Sequence, residues 1–152
     1  MNDFSNYPKF SELKGLNILS IDYGEKVIGM GFYCPGREPF PISAGRIINK
    51  GIANFYKELA NKIDDEVIEV IVIGIPYYVD GNESDKTREH KAIFNALVDR
   101  FPTVKFYQQD ETLTTKSAKE RMLNSAEYGF KFDPMKIDEL SAIIILEDFM
   151  RS

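Results

Sequence analysis

The sequence is poor in the residues that build covalent or thiolate-metal frameworks. It has one cysteine (Cys34), one histidine (His90) and no tryptophan among 152 residues. One thiol closes no intramolecular disulfide, and one cysteine with one histidine falls short of a structural zinc set. Long apolar runs are missing too. None exceeds about seven residues, where a bilayer span needs ~20. No basic, then apolar, then small-residue leader pattern opens the chain. The expectation is a soluble, cytoplasmic protein of a reducing compartment, with no membrane partner. Positive charge is not in excess: 19 Lys and Arg against 24 Asp and Glu give a net charge of -5. That counts against tight, unspecific binding of nucleic acid by bulk charge. It leaves open an enzyme with an acidic centre and a local basic rim, whose affinity is weak and salt-dependent.

The length suits one domain with a full core. Residues 1–14 read as an N-terminal extension without periodicity, and 15–152 as the domain. Asn17 to Tyr23 reads as a buried strand, Gly24-Glu25-Lys26 as a turn and Val27 to Tyr33 as its hairpin partner. Gly29 and Gly31 share one face of that second strand, so something bulky is expected to pack there. Ile42 to Ile48 is a third strand. Ile52, Phe55, Tyr56, Leu59 and Ile63 form one stripe of a helix reaching Glu66. Glu69 to Gly74 reads as a central parallel strand. Thr87 to Arg100 is a helix after a polar loop, and Val104 to Gln108 the last strand. Thr114 or Thr115 is expected to cap a further helix, and Asp133-Pro134 to open the final one. The order is β-β-β-α-β-α-β-α-α. It implies an α/β fold with a mixed five-stranded sheet, strands 1–3 in a meander, and helices on both faces.

Three acids stand where such sheets place their sites. Asp22 ends the first strand and Glu111 follows the last, at the carboxyl ends expected of parallel strands. Asp138 lies early in the final helix, with small Ser141 and Ala142 on its face to bring that helix close to the sheet. Three carboxylates in one place repel, and a divalent cation relieves the repulsion. Oxygen donors, with so little Cys and His, favour Mg²⁺ or Mn²⁺ over Zn²⁺. Such a centre hydrolyses phosphodiesters. The plainer alternatives are a turn-forming Asp22, loop residues Asp110 and Glu111, and an Asp138 that complements a helix dipole.

At these residues the sequence resembles the YqgF/RuvX family, Holliday-junction-resolvase-like proteins also described as nucleases of small-subunit ribosomal RNA precursors. Ile21-Asp22-Tyr23-Gly24-Glu25-Lys26-Val27-Ile28-Gly29 carries the first part of the likeness. Ile73-Gly74-Ile75-Pro76 with Asp80-Gly81-Asn82-Glu83 carries the second. Asp110-Glu111-Thr112-Leu113-Thr114-Thr115 with Ala118, and Asp138-Glu139-Leu140-Ser141-Ala142 leading to Ile145-Leu146, complete it. The resemblance runs from about Leu16 to Phe149. It implies a ribonuclease H-like fold, with Asp22, Glu111 and Asp138 as catalytic, metal-binding acids. It also implies pre-16S rRNA processing in ribosome biogenesis, or branched DNA as an alternative substrate, with the ribosomal subunit as a possible partner and a monomer or homodimer. The chain departs from the family pattern at Val27 and Thr112, where a basic residue and an arginine are usual, and at Ser141, where alanine is usual.

Lys26, Lys86, Arg88, Thr114, Thr115 and Lys116 are the expected substrate-binding residues, forming a rim that positions a phosphate backbone without reading bases. Solvated surface charge and helix caps are their plainer roles, and Lys119 and Arg121 read as ordinary surface charge. Tyr77 and Tyr78 are candidates to stack on unpaired bases, whereas Tyr23 reads as packing. His90, between Glu89 and Lys91, reads as a solvated histidine, and Cys34 as structural. Two other function classes compete. One is an actin-like or sugar-kinase-like nucleotide-binding domain, which needs two such domains and so more chain. The other is a binding module on the same fold without catalysis.

Overall fold

The computed structural model describes residues 4–152. Five strands, β1 (Ile18–Tyr23), β2 (Val27–Tyr33), β3 (Ile42–Ile48), β4 (Val70–Ile75) and β5 (Lys105–Asp110), form one sheet in the order β3-β2-β1-β4-β5. The meander β1-β2-β3 is antiparallel, while β4 and β5 run parallel to β1. The central position of β4 explains its composition. All six of its residues are buried, and a strand covered on both faces has no solvent side to make polar.

Period-two alternation sorts the side chains onto two faces. Leu19, Ile21, Ile71 and Ile73 pack with Phe55 and Leu59 of α2 (Ile52–Glu66) and Leu97 of α3 (Asp85–Arg100). Ile18, Val70 and Val72 pack with Ile145, Leu146 and Phe149 of α5 (Ile137–Met150) on the other face. The apolar stretch of α5 is accordingly buried almost all round. Helix α4 (Thr114–Leu123) lies against α5, burying Ala118 and Met122 with Leu140 and Ile144.

The glycines of β2 allow α5 to lie this close. A Cβ on Gly29 would stand 2.1 Å from the Asp138 carbonyl oxygen, and one on Gly31 would stand 2.6 Å from Ser20 Oγ and 3.2 Å from the Ala142 carbonyl oxygen. Ser20 Oγ donates to that Ala142 carbonyl at 2.6 Å, which satisfies the hydroxyl inside the sheet–helix interface. The bulky partner expected over the two glycines is therefore α5 itself.

Several boundaries differ from the sequence reading. The stretch read as an extension without periodicity contains a six-residue helix, α1 (Pro8–Leu13), and Phe4 and Leu13 join the α5-side core. Residues 1–3 of that stretch lie outside the described residues. Two isolated apolar residues are too few to produce a periodic signal, yet they suffice to dock a short segment. Helix α4 is not capped by a threonine hydroxyl: Thr114 is its first residue, and Leu113 precedes it in the left-handed region at φ 65°. Helix α5 begins at Ile137, three residues beyond Pro134. Asp133 instead holds a turn, its carboxylate accepting from the Met135 N–H at 2.9 Å and its carbonyl from the Lys136 N–H at 3.1 Å. Strand β5 runs on to Asp110 because the parallel ladder with β4 continues to Ile75. Among the described residues no helix is long and apolar enough to cross a membrane.

Candidate active site

The carboxyl ends of β1, β4 and β5 converge on one rim of the sheet. Asp22 is the second-last residue of β1 and pairs with Gly29, which places its side chain on the α5 face. Glu111 follows β5, its N–H donating to the Ile75 carbonyl at 3.0 Å. Its side chain folds over Gly74: a Cβ there would lie 2.9 Å from the Glu111 carboxyl carbon and 2.6 Å from Ile145 Cδ1. Gly74 thus leaves the space that Glu111 occupies. Asp138 sits in the first turn of α5, where its backbone rests on Gly29.

Asp22 and Glu111 meet. Their carboxyls lie near enough for each to shift the other's ionisation. Burial raises both pKa values. Asp22 is pushed well above the usual carboxylate range by desolvation, then by the charge of Glu111 and by that of Asp138. Glu111 is pushed up to about 7, chiefly by desolvation, with the charge of Asp110 adding and that of Lys86 opposing. Asp138 stands further out. Desolvation raises its pKa, and the Arg46 guanidinium of β3 opposes the rise. Arg46 is held in place by donating to the Met135 carbonyl at 2.5 Å. Among the described residues no three Asp, Glu, His or Cys side chains, as they lie, close around a single ion. Glu111 raises the cost of ionising Asp22, and the charge of Arg46 opposes the rise at Asp138.

His90 is not the solvated residue its charged neighbours suggest. It is 5% exposed. Its Nδ1 stands 3.6 Å from Glu111 Oε1 and has no hydrogen-bond partner among the described residues. The nearby Tyr23 carbonyl favours the protonated ring, a smaller influence than burial. The ring also meets Tyr23 edge-on, at 5.9 Å between centroids, and Tyr23 in turn packs on Phe55. Desolvation lowers the His90 pKa, so the ring is neutral near pH 7. The missed signal lies in the cap of α3. Ser84 and Thr87 form a reciprocal capping box, which fixes the helical phase. Thr87 and His90, three residues apart, then share the buried face along with Leu97.

A second unpartnered buried atom belongs to the α5 side. Ser141 Oγ is buried without a hydrogen bond. It lies one turn beyond Asp138 and one turn before Ile145, the residue that touches Gly74. The groups at this rim, carboxyl oxygens with raised pKa values and one buried, unpartnered imidazole nitrogen, are of the donor types a divalent metal takes.

The expected phosphate-binding residues separate in the structure. Lys26 is exposed in the β1–β2 turn. Lys86 opens α3 and reaches back to Glu25 of that turn at 3.1 Å. Arg88 is engaged with Asp85. Thr115 and Lys116 are exposed in the first turn of α4. Thr114 is buried, its N–H donating to the Glu111 carbonyl at 3.0 Å, so it shapes the turn behind Glu111 and presents no surface to a substrate. Thr112 does not replace the usual arginine with another donor to solvent. Its hydroxyl accepts from the Tyr77 N–H at 3.3 Å and tethers that loop. Arg121, read as surface charge, forms a two-pronged pair with buried Glu147 at 2.6 and 3.2 Å. Tyr78 remains exposed, while Tyr77 lies under Lys91.

A family model described as "RuvX: Holliday junction resolvase" matches residues 16–152. The chain is similar to a Shewanella denitrificans protein named "Putative pre-16S rRNA nuclease", at 31% identity over 140 residues, covering 89% of this chain and 94% of that one. A Thermus thermophilus protein of the same name is 31% identical over 137 residues, covering 89% and 97%. Among solved structures, T. thermophilus RuvC in complex with a Holliday junction substrate shares the fold with a TM-score of 0.56. That likeness covers 90% of this chain and 95% of that one at 13% identity. The architecture is ribonuclease H-like.

Proposed function

The chain belongs to the RuvX family, described as Holliday junction resolvases, and from that premise we propose that it is a divalent-metal-dependent nuclease whose preferred substrate is precursor 16S ribosomal RNA. The observation that carries the reading is the Asp22–Glu111 carboxyl contact at the carboxyl ends of β1 and β5, with the charge of Asp138 felt at Asp22. The names of the relatives support RNA as the substrate.

In this reading Asp22, Glu111 and Asp138 hold Mg²⁺ or Mn²⁺. The bound cation supplies activation of a water and stabilisation of the leaving oxygen. The chain's own part is to keep the acids dry and aligned. The floor of Gly74 and Ile145 excludes water beneath Glu111, and β1 fixes Asp22 through its ladders on both sides. Lys26, Lys86 and Lys116 hold the phosphate backbone by charge alone, which suits recognition of shape over sequence.

The test is cleavage of structured RNA from the 16S precursor and of four-way DNA junctions, with Mg²⁺ or Mn²⁺. Asp22→Asn, Glu111→Gln and Asp138→Asn are each expected to lose at least about a hundredfold in rate, since metal stabilisation is worth several kcal/mol. Each variant is expected to melt at or above the wild-type temperature, because like-charge crowding is relieved. Equal cleavage by wild type and Asp22→Asn defeats the assignment. Faster cleavage of junctions than of RNA replaces the substrate.

A further inference from the structure

His90 approaches the acids from the face opposite α5. Helix α3 covers the side of the sheet that holds Tyr23, Phe55 and Ile73, whereas Asp22 and the Gly74 floor beneath Glu111 face α5. The imidazole therefore reaches around the end of β1, where the strands stop, to meet Glu111 Oε1 at 3.6 Å. The edge contact with the Tyr23 ring sets its orientation, at 5.9 Å between centroids. What points at the acids is Nδ1, buried and without a hydrogen-bond partner among the described residues.

An unsatisfied buried lone pair costs about 1–3 kcal/mol, so its persistence calls for a partner. Among the described residues no group supplies one, and a cation held between Nδ1 and the Glu111 carboxyl would. A metal-ligating histidine needs its ring held in place by its surroundings, and burial and the Tyr23 ring contact hold His90. Two donors about 2.1 Å from one ion at angles of 90–120° stand roughly 3.0–3.6 Å apart, and the observed separation lies within that span.

We propose that His90 Nδ1 is a nitrogen donor to the metal of this centre and that it biases the site toward Mn²⁺ over Mg²⁺. The proposal rests on the reading of Asp22 and Glu111 as metal ligands. Imidazole suits first-row transition ions, whereas Mg²⁺ favours oxygen and retains its waters. An all-carboxylate centre has no such bias from its protein donors.

The single histidine makes the test direct, because any imidazole coupling to a bound metal arises from His90. The untagged full chain is loaded with Mn²⁺ alone, and pulsed electron paramagnetic resonance is recorded with natural and with ¹⁵N-labelled histidine. The expected result is a ¹⁴N modulation that the label converts to ¹⁵N. In His90→Gln the modulation is expected to vanish, and the Mn²⁺/Mg²⁺ affinity ratio, measured by competition, to fall about tenfold or more. Bound Mn²⁺ without imidazole coupling, or no Mn²⁺ binding at millimolar concentration, overturns the proposal. The labelled wild type decides without relying on the folding of a variant. Glu111→Gln separates the two claims. Mn²⁺ lost in Glu111→Gln, with no imidazole coupling in wild type, removes only the role of His90. Mn²⁺ bound equally by wild type, Glu111→Gln and Asp22→Asn removes the reading of the acids.

Discussion

Asp22 and Glu111, 89 residues apart in sequence, bring their carboxyls together at the rim of the sheet, where burial raises the pKa of both. Neither acid achieves this alone. Asp22 is carried by the strand that pairs with both β2 and β4, and Glu111 is pressed onto Gly74, the one position in β4 without a side chain. Retaining protons at these carboxyls offsets a like-charge contact that burial would otherwise make costly. The metal-free chain is thereby coupled to pH.

The sign of that coupling is fixed. Folding raises both pKa values, so the folded chain binds more protons than the unfolded one once pH exceeds the ordinary carboxylate range. The stability from this pair is complete below that range and declines as pH rises through about 7, the value for Glu111. His90, whose pKa is lowered on folding, works the other way, but only below its ordinary value near 6.5. Between pH 6.5 and 8 the carboxyl pair therefore dominates. Melting in chelator is expected to show Tm falling by several degrees across that window, at about 2–4 °C per kcal/mol for a chain of this size. Glu111→Gln is expected to flatten the slope. A Tm that rises over the window contradicts the raised pKa values of the pair.

The sheet order and the convergence of Asp22, Glu111 and Asp138 were legible because they follow from patterns spread over many residues. Alternating and continuous apolar runs set the strands, and strand ends mark the rim. His90 was not legible. Between Glu89 and Lys91 its local composition reads as solvent-facing, and only the phase set by the Ser84–Thr87 capping box turns it inward. The start of α5 was misplaced for a related reason. Asp133-Pro134 satisfies the rules for a cap, but the Asp133 side chain spends its acceptor on the Met135 N–H in a separate turn. Arg121 was misread because its partner, Glu147, lies 26 residues away and is buried by tertiary packing alone.

Gly29 and Gly74 are expected to separate stability from chemistry. In Gly29→Ala the new Cβ meets backbone, 2.1 Å from the Asp138 carbonyl oxygen and 2.4 Å from its carbon. Backbone yields only by moving α5, so the cost is about 1–3 kcal/mol, and Asp138 moves with it. In Gly74→Ala the nearest atoms are Ile145 Cδ1 and the Glu111 carboxyl, both at the ends of side chains. The fold is expected to lose less, while Glu111 is displaced. Melting curves paired with Mn²⁺ affinities check this. Gly74→Ala should weaken metal binding more per degree of Tm lost than Gly29→Ala. The reverse order contradicts the placement of Glu111 over Gly74.

Lys86 is expected to act on the substrate through charge. It opens α3 beside the β1–β2 turn, is exposed, and pairs with an even more exposed Glu25, so the pair adds little to stability. Its charge nonetheless reaches the centre, where it opposes the raised pKa of Glu111. A lysine in that position neutralises a phosphate at the cost of one weak surface pair. Arg88 is already engaged by Asp85. Lys86→Ala should therefore weaken binding of structured RNA and lower the magnitude of the slope of log affinity against log salt by about one, as expected for one lost phosphate contact. Arg88→Ala should change the slope less, and Tm should barely move in either variant. Titrations of catalytically inactive Glu111→Gln, with and without the lysine, across a series of KCl concentrations measure the slopes without cleavage. Identical slopes in the two proteins exclude Lys86 from the phosphate path and shift the basic rim to Lys26 and Lys116.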